Sequence, residues 1–380
     1  MKLVIAHPFL RLRGGAERVV LKIAQHFDAK VYCSIYEPEN TFDEFREVDV
    51  EVMRSRLWGL ASLLPPRVGS AAVAGEQFYF KKFDDYDVIN AQGTPSEWVR
   101  NRNSPVIWYC FSPNREAFDL YEWRMSRRNL FQKALYWSFI QPYRMIEFSV
   151  VPKIEHIFAI SENVQQRIKR YLGRESEVLM PGVDYEMFHS GDYKKYFFYP
   201  SRIAPEKNFE MAIEAFKKFK RKHKGWKFII AGTLDRSREE HVRYYEKIKK
   251  MLGEDGGIML NLPTQRVVEL YSNCFCVLYT PVNEDYGLIP LEAFSSSKTC
   301  IAINEGGPTE IVKEGVGYLV NNSDEMAGRM SYLAEHPDEA EEVGRRARKY
   351  VEREFSWRKF LKRFEEVCRE VSKEGGKLQE

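Results

Sequence analysis

Short apolar runs alternate along this chain with longer stretches in which apolar residues recur every three or four positions. In the first half, Leu3–Ala6, Val31–Cys33, Val50–Met53, Val88–Asn90, Val106–Cys110, Ile157–Ile160 and Val178–Met180 read as strands. The second half repeats the pattern with Tyr196–Tyr199, Phe228–Ala231, Ile258–Leu260, Phe275–Tyr279 and Cys300–Ile303. Apolar runs of four or five residues, separated by helical stretches, predict parallel strands covered on both faces. Two successive sets of this kind predict an α/β chain of two Rossmann-like, doubly wound domains. A length of 380 residues also exceeds one typical core. The polar stretch His189–Lys195, containing Gly191, reads as the seam. The expected division is residues 1–190, residues 195–355, and a last helix at 356–380 packing back on the first domain.

Ligands of such sheets bind beyond the carboxyl ends of the strands, so the strand-to-helix loops are where chemistry is expected. The stretch Asn283–Glu292, NEDYGLIPLE, leaves an apolar strand, turns at Gly287 and opens a helix. Glu284 falls in the loop and Glu292 on the first helical turn. Helix-start amides, here at Gly287 and Leu288, attract phosphate, while carboxylates accept hydrogen bonds from sugar hydroxyls. A site that takes both suggests a nucleotide sugar. One glutamate alone would be an ordinary helix-start or solvated loop residue; the pair around YGL is harder to dismiss.

Other loops add to this one. Gly14-Gly15 precede the helix Ala16–Phe27 directly after the first strand, where bare backbone can approach a ligand. Arg202 and Lys207 bracket the loop of SRIAPEKN, where a diphosphate would need two cations. Asn304–Glu310 repeats the strand–glycine–helix arrangement. In Tyr109–Tyr121, Pro113 sets an extended turn from which Ser112, Asn114 and Arg115 project at a strand end. His7 follows the first strand.

Composition narrows the classes. Hydrophobic content of 44% and charged content of 30% fit a soluble globular protein, and a net charge of +3 gives no argument for nucleic acid. The six scattered cysteines read as reduced packing residues of a cytoplasmic protein. No metal site is expected from their spacing. The first apolar run is too short for a secretory leader, and no run reaches a membrane span. Arg124–Lys153 interleaves basic and aromatic residues at helical spacing. That suits a membrane interface or lipid-linked phosphate, and equally a helix pair packing its aromatics inward.

GGAER at 14–18, SRIAPEKN at 201–208, Glu284 and Glu292 spaced eight apart, and NEGGPTEIV at 304–312 occur in one order across nearly the whole chain. Together they resemble the family-4 retaining glycosyltransferases. The resemblance implies a GT-B fold, with two Rossmann-like domains facing an interdomain cleft and the nucleotide sugar held mainly by the second. It implies that Arg202 and Lys207 hold the diphosphate, Glu284 the transferred sugar and Glu292 the ribose. Gly287-Leu288 would meet phosphate or sugar, and Gly14-Gly15 would approach the donor from the other domain. Residues 108–160 are similar to the mannosyltransferase branch acting on glycan or lipid-linked acceptors, which favours GDP-mannose over UDP-sugars. That branch carries Cys-His-Ser-Pro where this chain reads Cys110-Phe111-Ser112-Pro113. Phe111 can neither donate a hydrogen bond nor move a proton. Weak catalysis, or replacement by Ser112, Asn114, Arg115 or His7, would follow.

The expected reaction is transfer of a sugar to an acceptor hydroxyl with retention. Arg202, Lys207 and helix-start amides would stabilise the leaving diphosphate, without a metal or other cofactor. A glycoside hydrolase using Glu284 and Glu292 is the rival reading, and it leaves the basic loop and both glycine loops unexplained.

Overall fold

A computed structural model describes residues 1–55, 57–63 and 66–377. Contacts divide the chain into two units, Met1–Pro181 with Phe360–Glu380, and Gly182–Lys359. Residues 378–380 of the expected last helix lie outside the described residues.

The first unit carries β1 (Leu3–Ala6), β2 (Phe9–Leu10), β3 (Lys30–Cys33), β4 (Ile35–Tyr36), β5 (Val50–Val52), β6 (Val88–Gln92), β7 (Val106–Cys110), β8 (His156–Ala159) and β9 (Glu177–Val178). Its main sheet runs β5-β3-β1-β6-β7-β8-β9, all parallel. The central strands are buried on both faces, which is why their sequences are unbroken apolar runs. The short β2–β4 pair is a separate sheet with no apolar run to announce it. From Phe360 onward the Trp357–Lys377 helix belongs to this unit. Phe360 meets Tyr109, Phe364 meets Phe27 and Phe158, and Arg363 grips Glu177 at 2.7 and 3.0 Å.

The second unit carries β10 (Tyr196–Pro200), β11 (Lys227–Gly232), β12 (Gly256–Leu260), β13 (Cys276–Tyr279), β14 (Cys300–Ile303) and β15 (Tyr318–Val320), parallel in the order β12-β11-β10-β13-β14-β15. The strands expected from sequence are present within a residue or two. The edge strand β15 is the addition. The order makes β10, β13 and β14 neighbours, so their carboxyl ends lie side by side.

The units divide at Pro181/Gly182, ahead of the His189–Lys195 stretch expected to be the seam. That stretch is polar, but it is bound to the second unit. Buried Lys298 donates to the carbonyls of Gly191 (3.1 Å) and Asp192 (3.0 Å), and the Tyr193 hydroxyl donates to Ser297 O at 2.6 Å. Polarity here marks captured loop rather than linker. All six cysteines are buried and unbridged.

Arg348, on the Pro337–Glu354 helix, donates to the carbonyls of Tyr185 (2.8 Å), Phe188 (3.1 Å) and Ser295. It joins the chain entering the second unit to the carboxyl end of the Leu288–Ser295 helix. Arg348→Ala strands three carbonyls and is expected to cost about 2–4 kcal/mol. Urea unfolding measures this, and Arg348→Lys should recover only part of the loss.

Candidate functional site

The second unit gathers its candidate residues by stitching two strand-end loops together. The buried Tyr199 hydroxyl, from β10, donates to Lys207 O at 2.6 Å and accepts from Thr280 N at 3.1 Å. Thr280 Oγ1, past β13, donates to Asn208 O at 2.7 Å, and Val282 N donates to Glu206 O at 2.9 Å. Asn208 turns the chain with φ 47°, which asparagine tolerates. These bonds hold the basic turn against the 280–287 loop. Lys207 consequently ion-pairs with Glu284, with both side chains mostly covered. Glu284 also hydrogen-bonds the buried Tyr279 hydroxyl. Arg202 lies at the more exposed mouth of the same turn, paired with Glu206 at 2.8 Å.

The third loop closes over the second. A Cβ at Gly306 would lie 2.6 Å from Glu284 O, and one at Gly307 would lie 2.2 Å from Tyr286 O. Gly307 N donates to Glu284 O at 2.8 Å. Only glycine lets the two backbones approach this closely, so the NEGGP glycines position Glu284.

Gly287, with φ 106°, caps a helix that begins at Leu288 and has no side-chain cap hydrogen bond. Glu292 is therefore in the second turn rather than the first, because the glycine starts the helix earlier than composition suggests. Its carboxylate accepts from the Tyr271 hydroxyl of the Thr264–Asn273 helix. Burial pushes its pKa up to about 7, partly offset by that hydrogen bond. The structure thus assembles Arg202, Lys207, Glu284, Gly287, Leu288 and Glu292 at two neighbouring strand ends, with the glycines after the third packed against them.

In the first unit, the helix after β1 begins at Gly15 with Gly14 as its N-cap. A Cβ on Gly14 would lie 2.5 Å from Glu17 Oε2. The Glu17 carboxyl folds back onto the amides of Gly14 and Glu17, and burial raises its pKa to about 7. The glycine pair is thus shaped by an acid three residues on. His7 is buried, with Nδ1 against Gln92 O at 2.9 Å and a second hydrogen bond to the backbone of Phe9. Burial lowers its pKa to about 4, so it is neutral and tied to the β1 and β6 ends. That geometry gives His7 a structural job.

The residues after β7 are likewise engaged. Arg167 donates to Ser112 Oγ at 3.1 Å, Arg115 pairs with Asp119 at 3.0 Å, and Asn114 Oδ1 accepts from the amides of Glu116 and Ala117. Phe111 packs edge-on against Tyr109, ring centroids 5.3 Å apart.

Behind Asn114 lies a group the sequence did not reveal. Asn114 hydrogen-bonds Tyr143, whose hydroxyl donates to Glu147 Oε1, which also accepts from Trp98 Nε1 at 3.1 Å. Glu147 faces the fully buried Glu97. Burial, with the Glu147 carboxyl beside it, raises the Glu97 pKa well above the usual carboxylate range. Glu97 and Glu147 are 50 positions apart with no motif between them, so sequence had no signal for the pair.

Two sequence models divide the chain between them. Glycosyltransferase Family 4 matches residues 13–187, and Glycosyl transferases group 1 matches residues 188–350. The alpha-1,3/1,6-mannosyltransferase ALG2 of Homo sapiens is 27% identical over 353 residues, covering 82% of each chain. The ALG2 of Dictyostelium discoideum is 22% identical over 425 residues, covering 98% of each. Among solved structures, Anabaena Alr3699/HepE in complex with UDP and glucose superposes with a TM-score of 0.73 at 18% identity. That match covers 98% of this chain and 100% of the other, and shows the same fold.

Two variants test the geometry. Gly14→Ala should destabilise by about 1–3 kcal/mol through the clash with Glu17. Adding Glu17→Ala should relieve the clash, so that the double variant is less damaged than the sum of the singles. Thermal melts of the four proteins read this directly. For Glu292, an unfolded glutamate releases its proton near pH 4.5, whereas the folded one keeps it to about 7. Between those values the unfolded state holds fewer protons, so its contribution to stability falls as pH rises. Glu292→Gln should therefore be more stable than the parent by about 1–2 kcal/mol at pH 8. Melts taken downward in pH should show the difference vanishing toward pH 4.5.

Proposed function

We propose, for a chain that belongs to the family-4 glycosyltransferases and carries their GT-B fold, that it moves mannose from GDP-mannose to a hydroxyl of a glycan or lipid-linked acceptor, with retention at the anomeric carbon. The observation that carries the reading is the covered Lys207–Glu284 pair at the strand ends. Glu284 needs hydroxyl donors and Lys207 needs an anion. A nucleoside diphosphate sugar supplies both at once, so neither charge is left unpartnered when the ligand displaces their mutual contact. The uncapped start of the Leu288–Ser295 helix adds donors for phosphate oxygens.

In this reading Arg202 and Lys207 stabilise the negative charge that grows on the leaving diphosphate, without a metal ion. Glu292, oriented by Tyr271, accepts from the ribose. Likeness to proteins named as mannosyltransferases supports mannose. The UDP-bound relative in the same fold makes a uridine donor the alternative. The buried, unbridged cysteines support a cytoplasmic setting.

Thermal shift with GDP-mannose, UDP-glucose and ADP-glucose tests the donor. A true donor at about a hundredfold excess over its Kd adds about 2.7 kcal/mol of stability. GDP-mannose should give the largest rise in Tm, and Arg202→Ala and Lys207→Ala should abolish it. In turnover assays Lys207→Ala should lower kcat/KM by about 10²–10³-fold, and chelators should change nothing. A shift with UDP-glucose alone overturns the guanosine assignment. No shift with any nucleotide sugar overturns the reading.

A further inference from the structure

The Leu130–Val150 helix of the first unit buries few of its side chains, among them Ile140, Glu147 and Val150. Its aromatics divide by direction. Tyr136 and Tyr143 turn inward to Glu116 and Glu147. Leu130 (85% exposed), Phe131 (78%), Trp137 (53%) and Met145 (72%) stand in solvent. At 100° per residue, Leu130, Ala134, Trp137, Met145 and Phe148 lie along one face, with Phe131 and Leu135 widening it. The helix is about 30 Å long. An apolar strip of that length on one element is larger than scattered surface hydrophobics require.

The charge around it has one sign. Residues 121–153 hold six basic and two acidic side chains, a net +4 in a chain whose total is +3. One of the two acids, Glu147, is buried and faces away from the strip, toward Trp98 and Tyr143. Arg124 is paired with Glu116 at 2.7 Å. Arg127 lies over the ring of Trp123 at 3.8 Å and, with Lys133, leaves basic charge at the amino end of the strip. Arg128 packs over the inward-turned Tyr136 at 4.0 Å and donates to Arg124 O at 2.7 Å. The strip mixes Leu130, Ala134 and Leu135 with Phe131, Trp137, Met145 and Phe148, and Pro142 lies inside the helix. Among the described residues no helix is long and apolar enough to cross a membrane.

We propose that this face lies on the surface of an anionic bilayer, with Phe131, Leu135 and Trp137 entering the headgroup–acyl boundary and Arg127 and Lys133 meeting lipid phosphates. The surface is independent of the donor site and does not rest on the sugar assigned to it.

Flotation of the full chain with vesicles, without donor, tests the proposal. The protein should float with phosphatidylcholine vesicles containing phosphatidylglycerol, more weakly with phosphatidylcholine alone, and less as salt is raised. Phe131→Ser/Trp137→Ser and Arg127→Glu/Lys133→Glu should each weaken partition by about tenfold or more. Phe80→Ser, at an exposed phenylalanine on another helix, should not. Circular dichroism and Tm establish that each variant is folded, and transfer to a soluble acceptor should be unchanged in all three. Parent protein that stays unbound, or strip variants that float as well as the parent, overturns the proposal. So does sedimentation showing a dimer that Phe131→Ser/Trp137→Ser dissolves, which would assign the face to a second copy.

Discussion

The candidate site of the second unit depends on two buried hydroxyls. Tyr199 and Thr280 sit at the ends of neighbouring strands, and their hydrogen bonds run to the backbone of the loop that carries Lys207. Each bond contributes only about 1 kcal/mol net, but an unsatisfied buried partner costs more. The turn is therefore held to the β13 loop by the penalty for leaving. Lys207 meets Glu284 as a consequence, and the ion pair is built on backbone contacts that do not themselves use charge. This separates the cost of assembling the site from the electrostatics the site uses on its ligand. A charged pair held this way is ready to exchange partners, because the loops stay in place when Lys207 and Glu284 let go of each other.

Glycine acts in the same structure by subtraction. At Gly306 and Gly307 the missing Cβ lets the third loop rest on the backbone that carries Glu284. At Gly14 it leaves room for the carboxyl of Glu17. In both places a glycine pair reads in sequence as a ligand-facing turn, and in structure as a close protein contact. The two meanings are compatible. A backbone that leaves a neighbouring loop or carboxyl where a Cβ would clash is also one that a phosphate can approach.

The sheets were legible because parallel strands buried on both faces must be apolar throughout, and no other local structure in this chain needs that pattern. The short elements β2, β4 and β15 were not read, although β5 and β9, just as short, were. The contact units divide at Pro181/Gly182, ahead of the polar stretch whose loop Lys298 holds, while the two family models meet at residues 187 and 188. Glu284 and the basic turn could be read from motif spacing. The partners that orient them, Tyr199, Tyr271 and Tyr279, could not, because a buried tyrosine in an apolar run looks like core. The Leu130–Val150 helix shows the same limit. Its alternating basic and aromatic residues fitted two arrangements, and only the exposure of Phe131 and Trp137, beside the engagement of Tyr136 and Tyr143, separates them.

Phe111 marks where proton chemistry has left the first unit. Its ring packs on Tyr109, which also meets Phe360 and donates to Leu179 O at 2.7 Å, so the position has joined an aromatic stack. The nearby groups with acid–base capacity are committed elsewhere. His7 is neutral between two backbone partners, Ser112 is held by Arg167, and Glu97 is fully buried beside Glu147, behind Tyr143. In the proposed reaction the acceptor hydroxyl must still lose a proton as the new bond forms. The group in that reaction with both the charge and the position to take it is the departing diphosphate, whose oxygens Arg202 and Lys207 would hold. A side-chain base at residue 111 is then dispensable, and an aromatic there serves packing instead of catalysis.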